Sequence, residues 1–448
     1  MEAAARVAWD YDVRSAPPGE LFIEARFLAT PSGELGVDDA ASAFVKDVQY
    51  RRSGGWVDAT SRESGWSVPC AIGCQVRYRF ELRQACLALD EADTALAVGD
   101  ALIAPPSTWL LRPQSPASND VFELHVESEP GAQFVSAFRP APSGRRNSYR
   151  AATDVLEVAS YAAFGPFEVS QVPAGDTSVQ LAVATQGLAL TSEQARTWVA
   201  ESAGAVANYY SGHLPARRTL LLLTRGSGND TRGLTLGRGG PGLFVRASDL
   251  VTPLTTRDDW VIVHELLHAN FPDLGAEHGW LSEGLATYLE PLARARVGLV
   301  AEAKVWRDLW DGLPQGLPEA GDQGLEHTRT WGRTYWGGAL FCLVLDLTLR
   351  EQSGNQHSLD DVVLAIGKTG ASDEDYWPLS RVLSVAERAT NSRAPRELYE
   401  RLAQRPGTVD LPRLFARLGV RAEGSSVVFD DRAPLATIRR SLTARGSG

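Results

Sequence analysis

The chain has 448 residues, which is more than one ordinary hydrophobic core accommodates and calls for two to four domains. Its net charge of −11 argues against nucleic acid as the main partner, because phosphate binding wants a basic face. No run approaches the roughly 18 apolar residues of a membrane span; the longest candidate, Ala339 to Leu349, is broken by Asp346.

The start of the chain, Met1-Glu-Ala-Ala-Ala, is neither basic nor apolar, so it is no signal peptide. Met1 is the only methionine, which fits a start introduced where a leader has been removed. Cys70 and Cys74 lie close enough to form a disulfide, and a second Cys pair for a zinc ribbon is missing. These features point to an exported protein, periplasmic or extracellular, with reduced thiols in a cytoplasmic protein as the alternative.

Up to about Val172 the chain reads as β. Leu21–Leu28, Val76–Leu82 and Phe122–Glu127 alternate apolar and polar residues at period two. Turn-rich pieces such as Ser15-Ala-Pro-Pro-Gly-Glu20 separate them. Residues 1–172 are therefore expected to form a β-rich, sandwich-like domain. Beyond it, Val179–Ala184 and Thr219–Thr224 read as strands, and Ser192–Tyr210 has helical spacing. The glycine-dense stretch 226–242 is expected to be a loop leading into an edge strand, Gly242–Val245. It lacks the Gly-Lys-Ser/Thr of a phosphate loop.

Helices dominate from there. Asp258 and Asp259 sit at the start of a helix running from Trp260 to Asn270, which Pro272 stops. A second helix is expected from about Leu281 to Ala295 and a third from Tyr335 to Glu351. The remainder, residues 368–448, is expected to be mainly helical, with Val427–Phe429 as a last strand.

The first of these helices carries His264-Glu265-Leu266-Leu267-His268. Residues four apart lie on one helix face, so the two imidazoles can reach one ion, and Glu265 can reach a water on it. This is the chemistry of His-Glu-x-x-His: zinc lowers the pKa of the water, and the carboxylate moves its proton. The flanks Trp260-Val-Ile-Val263 and Leu266-Leu267 are apolar, so the helix is expected to be buried, where two His and a Glu require partners. Catalytic zinc usually takes three protein ligands. Glu283 is the candidate third, with His278 as its rival. Gly284 would let that helix approach a neighbour closely.

The string His264–His268 followed by Trp280-Leu-Ser-Glu-Gly-Leu-Ala-Thr-Tyr-Leu-Glu290 resembles the gluzincin metallopeptidases, nearest to the aminopeptidase N and bacterial glycyl aminopeptidase families. The resemblance implies an α+β multidomain protein: a β-rich N-terminal domain, a thermolysin-like catalytic domain over residues 173–367, and a helical C-terminal region. It implies one Zn²⁺ per chain on His264, His268 and Glu283, and a peptide or protein substrate. It makes Glu290 the carboxylate that orients a zinc-bound His. Tyr335, opening Tyr335-Trp-Gly-Gly-Ala-Leu340, becomes the residue that stabilises the oxyanion. Strand addition of an extended substrate falls to Gly242, Leu243 and Phe244.

The chain departs from those families in two ways. His268 and Glu283 are closer in sequence than in the aminopeptidase N family. The stretch Gly239-Gly-Pro-Gly-Leu-Phe-Val245 also lacks the acid that binds a substrate's free amino group there. Trimming from the N-terminus and cutting within a chain therefore both stay open. A catalytically silent peptide-binding protein on the same fold is the alternative from another class.

Overall fold

The computed structural model describes residues 6–444 except 30–32, 64, 70–71, 114–119 and 143. The chain divides into two compact units. The first comprises residues 1–171, 180–193 and 218–249; the second comprises 172–179, 194–217 and 250–448.

The first unit is built on an eight-stranded sheet. Its order is Arg139–Pro140, Ser148–Ala152, Val121–Glu127, Val7–Ala16, Glu20–Phe27, Cys74–Phe80, Val45–Arg52, Gly55–Asp58. The period-two segments fall mainly in it, and most of their apolar residues point one way. Tyr11, Phe27, Phe80 and Phe122 are fully buried, while the residues between them are wholly or partly exposed. Val7–Ala16 and Glu20–Phe27 pair antiparallel across the Pro17-Pro18-Gly19 turn. Gly19 is required there: its φ is +98°, and a Cβ would lie 2.9 Å from the Cβ of Arg83. The core is aromatic, with Tyr11 edge-on to Phe27 and Phe122. Truncating Phe27 or Phe122 to Ala would cost about 3–5 kcal/mol. Cys74 is disulfide-bonded, and Cys86 and Cys342 are free thiols. Cys70, its expected partner, lies outside the described residues.

A five-stranded sheet has the order Glu168–Ala174, Thr177–Val183, Thr219–Arg225, Gly242–Ala247, Arg232–Leu236. Here one expectation is corrected. Gly242–Ala247 is not an edge strand: it pairs parallel with Thr219–Arg225 on one side and antiparallel with Arg232–Leu236 on the other. The glycine-dense stretch is not all loop, because it folds back as the strand Arg232–Leu236 and takes the edge itself. Leu243, Phe244 and Val245 are buried in this unit. A Cβ on Gly242 would lie 2.5 Å from Ser160 Oγ. Strand addition at Gly242, Leu243 and Phe244 therefore has no free edge to use.

The second unit is mainly helical. We label its central helices α1 (Val261–Ala269), α2 (Gly279–Arg296), α3 (Gly338–Ser353) and α4 (Leu359–Gly367). Asp259 Oδ1 accepts from the Val261 N–H at 3.0 Å and starts α1. Asn270 finishes it: its Nδ2 donates to the Leu266 carbonyl and its Oδ1 accepts from the Ala216 N–H. Helices α2 and α3 meet glycine to glycine. A Cβ on Gly284 would lie 2.3 Å from Gly338 Cα, and one on Gly338 would lie 2.0 Å from the Trp280 carbonyl oxygen. The close approach expected of Gly284 is thus present, and any larger residue at either position would push the helices apart. Ser358 and Asp361 form a capping box at the start of α4. At the end of the chain, Ser426–Phe429 pairs with Val420–Glu423. Among the described residues, no helix is long and apolar enough to cross a membrane.

Candidate metal centre

Helix α1 is apolar nearly all round, so burial fixes its orientation and carries its polar residues inward: His264 and Glu265 are both buried. His268, one turn on, points to the same face as His264. Helix α2 brings Glu283 against both. The His264 Nε2 lies 3.1 Å from His268 Nε2 and 3.2 Å from Glu283 Oε2, and His268 Nε2 lies 3.3 Å from the same oxygen. These are the groups that could hold a metal ion among the described residues.

The triangle fits zinc. Donors about 2.0–2.1 Å from a tetrahedral ion stand about 3.3–3.4 Å from one another. Two imidazole nitrogens and a carboxylate oxygen are the donor set of a catalytic zinc site with one position left open. Without a cation, two ring nitrogens face each other across 3.1 Å, and they can share only one proton along that line.

Electrostatics match this geometry. Burial alone would push the His268 pKa down, but Glu283, assisted by Glu265 and Asp373, overrides it and raises the value to about 9. Burial would raise Glu283, yet His268 and His264 hold its carboxyl well below the usual carboxylate range. His268 therefore holds a proton that a metal would displace.

Tyr335 lies in a single π-helical turn, Arg333–Gly337, that leads into α3. Such turns widen a helix locally and recur at functional sites. Its ring stacks at 6.4 Å on that of His264. Burial, then the Glu283 and Glu265 charges, raise its pKa to about 12, so the phenol is a hydrogen-bond donor at all ordinary pH.

Glu290 is buried and gives its carboxylate to Arg294 Nη1 at 2.6 Å. Burial raises its pKa, against the opposing charges of Arg294 and His264. The Nδ1 of His264 is buried without a hydrogen-bond partner. Glu290 thus lies in the electrostatic reach of His264 but makes its hydrogen bond elsewhere. His278 is not in the triad. Its Nδ1 meets the Glu326 carboxylate at 3.0 and 3.1 Å.

One residue carried no signal in the sequence. Trp377 N–H donates to the Asp273 carbonyl, and Asp373 N–H donates to the carbonyl of Ala269, next to His268. This sets the Asp373 carboxyl in the field of His268. Burial raises its pKa to about 7; His268 opposes the rise, and Asp273 and Glu265 add to it. No local pattern links a loop acid to a helix so distant in the chain.

No protein-family profile matches the chain, and no curated protein matches it in sequence. Solved structures do match in fold. An aminopeptidase N family protein from Idiomarina loihiensis superposes with a TM-score of 0.71 at 17% identity, over 92% of this chain and 78% of that one. A zinc metallopeptidase of the M1 family from Deinococcus radiodurans gives 0.52 at 16% identity, over 91% and 97%. A variant of that enzyme bound to a Tyr-Ser-Ala substrate gives 0.52 at 15%, over 89% and 94%. With its β-rich first unit and helical second unit, the chain has the multidomain fold of these aminopeptidase N family and M1 zinc metallopeptidase structures.

Proposed function

We propose that this chain is a zinc-dependent peptidase, with one ion held by His264, His268 and Glu283. The observation that carries the reading is the convergence of three ligand atoms within 3.1–3.3 Å, beside the buried Glu265 and the protonated Tyr335. When bound, zinc supplies Lewis acidity and brings the pKa of a water toward neutrality. Glu265 takes the proton of the attacking water and passes it to the leaving nitrogen, so the carboxylate ends as it began. As the carbonyl carbon becomes tetrahedral, its oxygen gains negative charge. The Tyr335 hydroxyl donates a hydrogen bond to that oxygen and strengthens it as the charge grows. Water is added across the C–N bond, giving a carboxylic acid and an amine.

The lack of an acid in residues 239–245 leaves two modes open, cleavage within a chain and trimming from an amino end held at an unusual amine site. The disulfide at Cys74 supports export to an oxidising compartment.

Metal content tests the reading first. Protein prepared without chelator should carry about one zinc per chain, and Glu283→Ala should carry much less. Absence of zinc, with none taken up on addition, would remove the proposal.

A further inference from the structure

All twelve tryptophans lie among the described residues, and two of them are exposed: Trp331 at 61% and Trp260 at 46%. Both positions are distinctive. Trp260 precedes the ligand His264 by four residues, and Trp331 precedes Tyr335 by four. Residues at that spacing share a helix face. The contacts follow. The Trp260 ring packs edge-on against His264 at 5.1 Å, and the Trp331 ring stacks on Tyr335 at 5.6 Å with the planes 28° apart. His264 and Tyr335 are themselves stacked. The four rings form one row, with a ligand and the phenol in the middle and an exposed indole at each end.

Resting on the peptidase reading above, we propose that Trp260 and Trp331 are the specificity-determining residues of this site and select substrates with bulky apolar side chains flanking the scissile bond. An indole left in water gives up the stabilisation that burying a large apolar surface provides. The chain buries or half-buries its other ten tryptophans and exposes the two that touch site residues. An apolar side chain laid on either indole would cover that surface. A peptide stretched past the ligand triad and Tyr335 presents its neighbouring side chains at the two ends of the row. Pinned by its stack on Tyr335, Trp331 loses little freedom when it is covered, which favours binding.

The test uses four hexapeptides that differ only at two adjacent central residues: Phe-Phe, Phe-Ala, Ala-Phe and Ala-Ala. Binding is measured by calorimetry on zinc-loaded Glu265→Gln, and cleavage on the zinc-loaded wild type. Phe-Phe should bind at least about tenfold tighter than Ala-Ala, in line with burial of two aromatic side chains. Adding Trp331→Ala should erase the advantage at one position and Trp260→Ala at the other, while Trp331→Phe keeps most of it. Equal affinity for Phe-Phe and Ala-Ala overturns the proposal. So does a Trp331→Ala loss that is the same for all four peptides, because the indole would then only hold Tyr335. If the wild type cuts none of the peptides yet the Phe advantage and its loss appear, the subsites stand and the hydrolase reading falls. If it cuts all four alike, the hydrolase reading stands and the subsites fall.

Discussion

The second unit holds two charged clusters, one between α2 and α3 and one between α1 and α2, and the two are built on opposite principles. In the first, Asp346 accepts from the Tyr288 hydroxyl at 2.8 Å, from Arg350 Nε at 2.8 Å and from the Leu359 N–H at 3.0 Å. Asp360 extends it, accepting from Arg296 at 2.9 and 3.2 Å. Donors meet acceptors throughout. In the second, His264, His268 and Glu283 turn their ligand atoms onto one point, and the His264 Nδ1 has no partner. A complete network stiffens a core, whereas three metal-binding groups with their ligand atoms turned onto one point form an arrangement that a cation would complete. Both clusters are at least half-buried and charged, so burial and charge alone do not tell a structural site from a chemical one. The inventory of donors and acceptors does.

Substitutions in each cluster should therefore fail in different ways. The largest effect belongs to Glu265→Gln. It should keep zinc and lose up to about 10⁴-fold in kcat, the upper range for a general base. Metal analysis and steady-state kinetics on one preparation check this, and full activity with bound zinc would end the proposed mechanism. Asp346→Ala comes next. It strands Arg350 and the Tyr288 hydroxyl, and should lower stability by about 3–5 kcal/mol in denaturant unfolding. Zinc per folded chain should not change. If that variant loses zinc while staying folded, the division between the clusters is wrong. Tyr335→Phe should fold and bind zinc normally. It should lose about 10²–10³-fold in kcat with KM little changed, because the hydrogen bond forms mainly in the transition state.

What the sequence disclosed follows the same division. His264, Glu265 and His268 were legible because a helix puts residues four apart on one face. Glu283 was a candidate third ligand beside His278, and the resemblance of its surrounding string favoured it; Tyr335 followed from the resemblance alone. The β segments of the first unit were legible because alternation at period two survives in one sheet with one buried face. Two features were hidden. The strand Arg232–Leu236 was obscured by flanking glycines, and with it the fact that Gly242–Ala247 is interior. Asp373 was obscured by distance, since only the packing of its loop on the end of α1 brings its charge to His268. Strand neighbours and loop docking are tertiary facts without local periodicity.

The smallest expected effect concerns protons. In the metal-free protein His268 has its pKa raised to about 9, above the value near 6.5 of an unfolded histidine. A raised pKa means that the interaction with Glu283 stabilises the metal-free fold fully below about pH 6.5, and that this contribution is lost as pH rises through about 9. Zinc needs the neutral ring, so binding must expel that proton at any pH below about 9. Zinc affinity, measured by chelator competition, should therefore rise about tenfold per pH unit between 7 and 8 and level off above 9. Asp373→Asn removes one of the charges that support the imidazolium, so it should lower the pH at which the levelling begins. The hydrogen bonds of Asp346 run to Tyr288, Arg350 and Leu359, and Asp346→Asn, provided it folds, should leave the zinc titration unmoved. A flat zinc affinity across this range would mean that His268 is already neutral, and that Glu283 binds the metal without first having held a proton-bearing partner.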